Sequence, residues 1–251
     1  MAVDKIIRCA RQAALALVVL AAATPAIAEI DGKDKEAIEA IVHQYILEHP
    51  EIIAEAIERL QAREQRAKEE AQRNAMISLA PKIYDNPQTP EMGNPQGDVT
   101  VVEFFDYQCG YCKRVFPTVM NVLNADRNIR ILWKELPILG PVSQFAARAA
   151  MAADKQGKYF AYHVALMELK GRLTEDKVME TAHATGLDMK QLIEDMASPE
   201  IERYLNETLA LAQSLGISGT PAFLFGDQMV PGSIEEDQMH ELIARVRESK
   251  G

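Results

Sequence analysis

The stretch VEFFDYQCGYC, residues 102–112, joins an apolar run to a pair of cysteines. The β-branched and aromatic residues from Val99 to Phe105 predict a buried strand, and the residues from Lys113 to Leu123 predict a helix. Cys109 and Cys112 therefore lie where a strand passes into a helix. A thiol at the start of a helix faces free backbone N–H groups and the positive end of the helix dipole, which favour the thiolate. The thiolate is the form that attacks disulfides.

Residues 1–28 have the features of a secretory signal peptide. Three basic residues precede an apolar run from Ala13 to Ala23, which is too short to span a bilayer, and a small-x-small cleavage site ends at Ala28. We expect cleavage after Ala28 and export to the periplasm, with an uncleaved anchor as the alternative. Cleavage would leave two of the three cysteines, Cys109 and Cys112.

The remaining cysteines and the charge exclude several classes of protein. An exported chain with only this pair has no separate disulfide framework. A closed zinc site normally takes four Cys or His ligands, and no His pair lies near the cysteines. The net charge of −10, which becomes −12 without the three bases and one acid of the leader, disfavours nucleic acid as a partner. We predict dithiol redox chemistry that needs no cofactor.

Residues 29–80 are predicted to form a helical oligomerisation segment and a stalk. Apolar residues recur at helical spacing from Ile38 to Ile46, and at coiled-coil spacing from Ile53 to Leu60. The stretch Gln61–Asn74 is almost all charged residues, Gln or Ala, and predicts a solvated stalk. Two short helices bury little apolar surface alone, so we expect self-association through residues 34–79. A helical hairpin docked on its own catalytic domain is the alternative.

The rest of the chain alternates strand and helix signals. Residues 81–97 are rich in Pro, Gly and Asn and predict a linker. The catalytic domain is expected over residues 98–251. Its second strand is predicted at Ile129–Leu136, followed by a helical insertion over residues 143–214. A strand-turn-strand hairpin from Ala222 to Val230 and a last amphipathic helix complete it.

These motifs, in this order, resemble the DsbA-like branch of the thioredoxin superfamily. They are the stretch VEFFDYQCGYC, the sequence KELP at residues 134–137, the helical insertion, and the sequence GTPA at residues 219–222. The resemblance implies an α/β thioredoxin fold with a large helical insertion. The N-terminal segment resembles that of the proteins called suppressor of copper sensitivity protein C, some of which are trimeric disulfide isomerases, and this favours a homotrimer.

Two pairs of residues carry the predicted exchange chemistry. Cys109 is the expected nucleophile, because it is the N-terminal cysteine of the pair, and Cys112 is expected to resolve the mixed disulfide. The resemblance implies that the bond before Pro221 is cis and that its loop faces the cysteines. The backbone of Thr220 could then pair with an extended client peptide, as an added strand would. An ordinary loop is the alternative.

Glu103 and Lys134 are charged residues inside apolar strands, where an unpaired charge is costly. The resemblance places a buried acid and a partner lysine beneath the cysteines, suited to transferring the proton of Cys112. A plain ion pair, or exposed positions on the strands, are the alternatives.

The dipeptide between the cysteines bears on the direction of the reaction. Gly110-Tyr111 lacks the Pro-His pair of strongly oxidising DsbA proteins, which favours a weaker oxidant. Together with Thr before the cis proline, it resembles dedicated disulfide isomerases. We expect an exported protein disulfide isomerase and reductase that acts on misfolded, reduced or oxidised exported clients and is kept reduced by a membrane thiol reductase. A dithiol oxidase, a copper-tolerance protein binding Cu(I) at Cys109 and Cys112, and an oligomerisation scaffold are the alternatives.

Overall fold

The computed structural model of the protein describes residues 32–249. The predicted signal peptide, residues 1–28 with cleavage after Ala28, lies outside the described residues. The chain divides into two units, and the boundary falls between Glu64 and Gln65. None of the helices in the described part combines the length and the apolar composition that crossing a membrane requires.

The first unit, residues 32–64, contains helix α1 (Gly32–Glu48) and the beginning of helix α2 (Glu51–Ser78). No residue of α1 is buried. The large apolar side chains of this unit that remain exposed are Ile38, Ile41, Val42, Tyr45, Leu47, Ile52, Ile53, Ile57 and Leu60. The apolar surface predicted for self-association is therefore not buried within this unit.

The second unit is built on a five-stranded sheet in the order β1-β3-β2-β4-β5. The strands are β1 (Glu91–Gly93), β2 (Val99–Phe105), β3 (Ile129–Glu135), β4 (Ala222–Phe225) and β5 (Gln228–Pro231). The central strand β2 is parallel to β3 and antiparallel to β4. A two-residue turn joins β4 to β5, as the hairpin signal predicted.

Helices cover both faces of the sheet. Helix α3 (Ala80–Tyr84) precedes the sheet, and helix α4 (Gly110–Ala125) follows β2. The predicted insertion is helical and consists of α5 (Pro141–Lys155), α6 (Tyr159–Glu168), α7 (Glu175–Ala184), α8 (Met189–Met196) and α9 (Pro199–Ser214). Three of these helices begin at side chains that accept a backbone N–H, namely Thr174, Asp188 and Ser198. Helix α10 (Glu236–Glu248) ends the described chain.

Alternation along the strands divides the core into two layers, because successive side chains of a strand point to opposite faces. Val101 and Phe105 pack in the layer that contains both cysteines and most of the insertion. Val102 and Phe104 pack in a second layer with Leu132 and with residues of α2, α3 and α9. The sheet therefore lies between the layer that contains the cysteines and the second layer.

The expected linker at residues 81–97 needs correction, because this segment belongs to the core unit. It supplies all but the first residue of α3 and the whole of β1, which pairs antiparallel with β3. Gly93 adopts φ +93°, and a Cβ there would collide with the carbonyl oxygen of Ile129. The glycine that indicated a loop in the sequence instead allows close approach of an edge strand. A strand of three residues is too short to show an alternating pattern in the sequence. Its pairing with a remote strand leaves no local signal either.

This correction gives a prediction for Ile83. The substitution Ile83→Ala should lower the free energy of unfolding by about 2–4 kcal/mol, because Ile83 is fully buried in the second layer. Urea denaturation of the two proteins measures the difference. Ile77→Ala is the matched control, since Ile77 is 65% exposed and its truncation should cost less than about 0.5 kcal/mol. Equally small losses for both variants would mean that this segment does not belong to the core.

Candidate active site

The two cysteines lie at the start of helix α4, as the sequence predicted. Cys109 is the N-cap residue, and its Sγ accepts a hydrogen bond from the backbone N–H of Cys112 at 3.4 Å. Both thiols are free. Cys109 is 5% exposed and Cys112 is fully buried. Cys109 is therefore the more accessible of the two thiols.

The turn before the cysteines is held by Asp106. Its Oδ1 accepts the backbone N–H of Gln108 at 2.7 Å and the hydroxyl of Ser143 at 2.7 Å. Its Oδ2 accepts the backbone N–H of Leu139 at 3.0 Å. One buried carboxylate thus fixes the residues before Cys109 to the first helix of the insertion. Asp106 lies within the quoted motif, but no spacing in the sequence indicates its remote partners.

The two thiols have very different acidities. The pKa of Cys109 is lowered to about 5, chiefly by the hydrogen bond from the Cys112 thiol, with further help from Thr220 and backbone N–H groups, while partial burial opposes the shift. Burial, the bond to Cys109 and the charge of Glu103 raise the pKa of Cys112. At neutral pH the site holds a Cys109 thiolate beside a protonated Cys112. Because the folded-state pKa of Cys109 is lowered, the thiolate stabilises the reduced protein at higher pH, and that contribution is lost as pH falls through about 5.

The loop at Thr220 and Pro221 lies against Cys109. The peptide bond between these two residues is cis, and the carbonyl oxygen of Thr220 is 3.2 Å from Cys109 Sγ. The loop leads directly into β4, which pairs with β2, so the sheet brings residues 220 and 109 together across the sequence. The arrangement places a partly exposed backbone segment beside the reactive sulfur.

Glu103 and Lys134 do not meet, which corrects the expected pairing. In the parallel register of β2 and β3, Glu103 is opposite Trp133 and Lys134 is opposite Phe104. The two charged side chains therefore point to opposite faces of the sheet. Lys134 donates to Thr89 Oγ1 at 2.7 Å and to the carbonyl of Lys82 at 3.1 Å.

Glu103 stays on the face of the cysteines. Its side chain is fully buried, and neither carboxyl oxygen has a hydrogen-bond partner among the described residues. Burial, and to a lesser extent the charge of Cys109, raise the pKa of this carboxyl well above its usual range. Its environment is that of a group that holds a proton at neutral pH.

A second buried acid was not predicted. Glu135 Oε1 accepts the hydroxyls of Tyr107 at 3.0 Å and Tyr159 at 2.8 Å, and the Tyr107 hydroxyl also lies 2.9 Å from His163 Nδ1. Burial raises the pKa of Glu135 and lowers that of His163 to about 3. The network joins the active-site turn to helix α6. The sequence contained a charge in an apolar strand at this position, but nothing that indicated its tyrosine partners.

Lys113, the residue after Cys112, ties the catalytic helix to the insertion. Its Nζ donates to the carbonyls of Leu166 at 2.6 Å and Leu169 at 3.1 Å, at the end of α6. The exposed Tyr111 between the cysteines carries the guanidinium of Arg114 over its ring at 4.7 Å. Gly110 has open space around its Cα.

The described residues offer few ligands for a metal ion at this site. In residues 32–249 no group of three or more His, Cys, Asp or Glu side chains is arranged to hold a metal ion. The sulfurs of Cys109 and Cys112 are soft ligands of the kind that suit Cu(I). The arrangement itself, an acidic thiol beside a protonated one, suits thiol-disulfide exchange.

Comparison with known families agrees with this chemistry. A family model described as a DSBA-like thioredoxin domain matches residues 100–244. The chain belongs to the DSBA-like thioredoxin family. A second model, described as the copper resistance protein ScsC N-terminal domain, matches residues 34–67. The predicted α/β thioredoxin fold with a helical insertion and a preceding helical segment is confirmed.

Similar proteins include two solved structures and a curated DsbA. A thioredoxin-like oxidoreductase from Silicibacter pomeroyi DSS-3 is 47% identical, with a TM-score of 0.66 over 67% of this chain and 97% of that one. Proteus mirabilis ScsC in a transitional conformation is 28% identical, with a TM-score of 0.65 over 86% and 98% of the two chains. The Bordetella pertussis thiol:disulfide interchange protein DsbA is 26% identical over 60% of this chain and 74% of its own. The chain also matches Na(+)/H(+) antiporters of two Salinispora species, of whose length it spans 22% and 20%.

The acidity of Cys109 in this DSBA-like protein can be tested through its partner thiol. Cys112→Ala should raise the pKa of Cys109 above about 5, because a methyl group donates no hydrogen bond. Cys112→Ser keeps a hydroxyl donor and should keep a lower pKa than the alanine variant. The rate of Cys109 alkylation as a function of pH gives the value for each variant. The same pKa in both would mean that the partner's proton donor does not set the acidity.

Proposed function

We propose that the protein is an exported thiol-disulfide isomerase and reductase that acts through Cys109 and Cys112. The observation that carries the thiol-disulfide chemistry is the low pKa of Cys109 beside a protonated, buried Cys112 and the Thr220 loop. The attacking thiolate, the resolving thiol and a backbone segment that could pair with a client therefore lie close together. A stabilised thiolate by itself favours an oxidising pair, so the direction of the reaction is inferred from the first unit. The predicted leader and the DsbA and ScsC relatives support a periplasmic location.

The reaction begins when the Cys109 thiolate attacks one sulfur of a client disulfide. The client S–S bond breaks, a bond forms between Cys109 and the client, and the second client sulfur leaves as a thiolate. In isomerisation, another client thiolate attacks the client sulfur of this mixed disulfide and releases Cys109 unchanged. In reduction, Cys112 loses its proton and attacks Cys109, which releases a client dithiol and oxidises the enzyme. A membrane thiol reductase would then return two electrons to the pair.

Glu103 is suited to accept the proton that Cys112 loses. It lies on the cysteine face of the sheet, and its charge raises the pKa of Cys112. The Cys109 thiolate raises the pKa of Glu103, and that contribution disappears when the sulfur enters the mixed disulfide. Glu103 can then release its own proton to solvent more readily, and the carboxylate so formed can accept the proton of Cys112 at the step where a base is needed.

Glu103→Gln is expected to slow resolution of the mixed disulfide by about 100-fold, because an amide does not accept the proton. Stopped-flow quenching with a model disulfide peptide follows the intermediate. The variant should also unfold at higher denaturant at neutral pH, because burial raises the folded-state pKa of Glu103 and its stabilising contribution is lost as pH rises. Glu241→Gln, at an exposed position of α10, is the control. Unchanged resolution in the stabilised variant would remove Glu103 from proton transfer.

The preference for isomerisation is inferred from the first unit. Its exposed apolar side chains, such as Ile41 and Ile57, and the match to an ScsC N-terminal domain support self-association, with a homotrimer as the favoured form. Several catalytic domains joined in one oligomer can hold one misfolded client by effective concentration. Repeated exchange on the same client then competes with its release.

Refolding of a scrambled multi-disulfide protein tests the direction of the reaction. The wild-type protein should restore correct pairing in a reducing buffer, and Cys109→Ser should not, because the attacking sulfur is absent. A chain that begins at Gln65 is the second arm. It should lose self-association, measured as solution mass, and most isomerase activity, while it still reduces a small disulfide peptide.

Two outcomes would contradict the isomerase proposal. Fast oxidation of reduced clients by the wild type, without restored pairing, would assign the protein as a dithiol oxidase. Equal solution mass and equal isomerase activity of the full and shortened chains would remove the first unit from the mechanism. In either case, loss of peptide reduction in the Cys109→Ser variant would still support the thiol chemistry.

A further inference from the structure

Lys134 lies on the face of the sheet opposite the cysteines and is 1% exposed. Its Nζ donates to the hydroxyl of Thr89 at 2.7 Å and to the carbonyl oxygen of Lys82 at 3.1 Å. Both acceptors are neutral, and no carboxylate of residues 32–249 is paired with this ammonium. A lysine ammonium has three N–H donors, so these two contacts leave one donor uncommitted.

The environment of this ammonium is unfavourable to its charge. Burial and the positive charge of Arg130 lower the pKa of Lys134 to about 8. A buried charge without a counter-ion is unfavourable. A counter-ion that entered this region would relieve the cost, and the attraction would be strong because little water screens it.

A cavity of about 250 Å³ opens beside Lys134. It lies between helix α9, the beginning of α3 and the segment that follows α3. Its lining includes Leu79, Lys82, Lys134, Glu207, Ala210 and Leu211. The cavity therefore accommodates a small molecule but not a folded partner.

We propose that this cavity binds a small organic carboxylate, one oxygen of which accepts a hydrogen bond from the remaining N–H of Lys134. The apolar side chains of Leu79, Ala210 and Leu211 line the wall and suit a short hydrocarbon body. The exposed Lys82 adds positive charge at the lining, and the exposed Glu207 opposes it. One buried ammonium with this mixed lining fits a monoanion better than a doubly charged phosphate.

The site is separate from the thiol chemistry. Lys134 and Glu103 point to opposite faces of the same two strands, and the cavity lining includes no residue of the active-site turn. Binding of the carboxylate should therefore be independent of the state of Cys109, and a failure of this proposal would leave the isomerase proposal untouched.

Isothermal titration of the full reduced protein with butyrate tests the site, with butyramide as a neutral probe of the same shape. Butyrate should bind saturably and butyramide should not. Lys134→Met should weaken butyrate binding by about 10-fold or more, because it removes a charge-assisted hydrogen bond. Lys190→Met, which removes an exposed lysine on α8, is the matched control and should bind as the wild type does.

Ala210→Trp tests the cavity independently of the buried charge. The residue is exposed at the lining, so a bulky side chain there should block the cavity without disturbing the core. Loss of butyrate binding in this variant, with binding retained in Cys109→Ser, would support the proposal. Equal binding of butyrate and butyramide, undiminished binding in Lys134→Met, or no saturation up to about 10 mM would overturn it.

Discussion

The hydrogen bond between the two cysteines at the start of helix α4 determines how the site reacts. It makes the thiols unequal, because Cys112 donates and keeps its proton while Cys109 accepts and loses its own readily. A sulfur with a low pKa is also a good leaving group. The contact that prepares Cys109 for attack thus also favours its departure from a mixed disulfide. Both isomerisation and reduction require this reversibility.

That contact depends in turn on residues far along the chain. Asp106 holds the turn before Cys109 by accepting from Ser143 and from the backbone of Leu139, which lie at the beginning of the insertion. Lys113 fixes the first turn of α4 to the end of α6 through backbone carbonyls. The insertion therefore does more than enlarge the core, because it fixes the position of the strand-to-helix turn on which the acidity of Cys109 depends.

The elements that were predicted correctly are those whose residue types carry a local signal. Strand β2 has the predicted bounds, Val99–Phe105, because its β-branched and aromatic residues and its burial agree. The edge strand β1 was missed because its three residues gain their structure from a remote partner. Glu103 and Lys134 were correctly placed in strands, but the sequence does not give the register between β2 and β3. A shift of one residue moves a side chain to the other face, and this alone decided that the two do not pair.

The register has a chemical consequence. It places two unpaired ionisable groups, Glu103 and Lys134, on opposite sides of the same pair of central strands. Strands position side chains more rigidly than loops do, so neither group can move far to find a partner within the chain. Glu103 avoids the cost of burial by holding a proton beside Cys112. Lys134 instead donates to two neutral acceptors and lines a cavity. The two burial costs therefore arise on opposite faces of the sheet, and the central strands separate the environment of the thiols from that of Lys134.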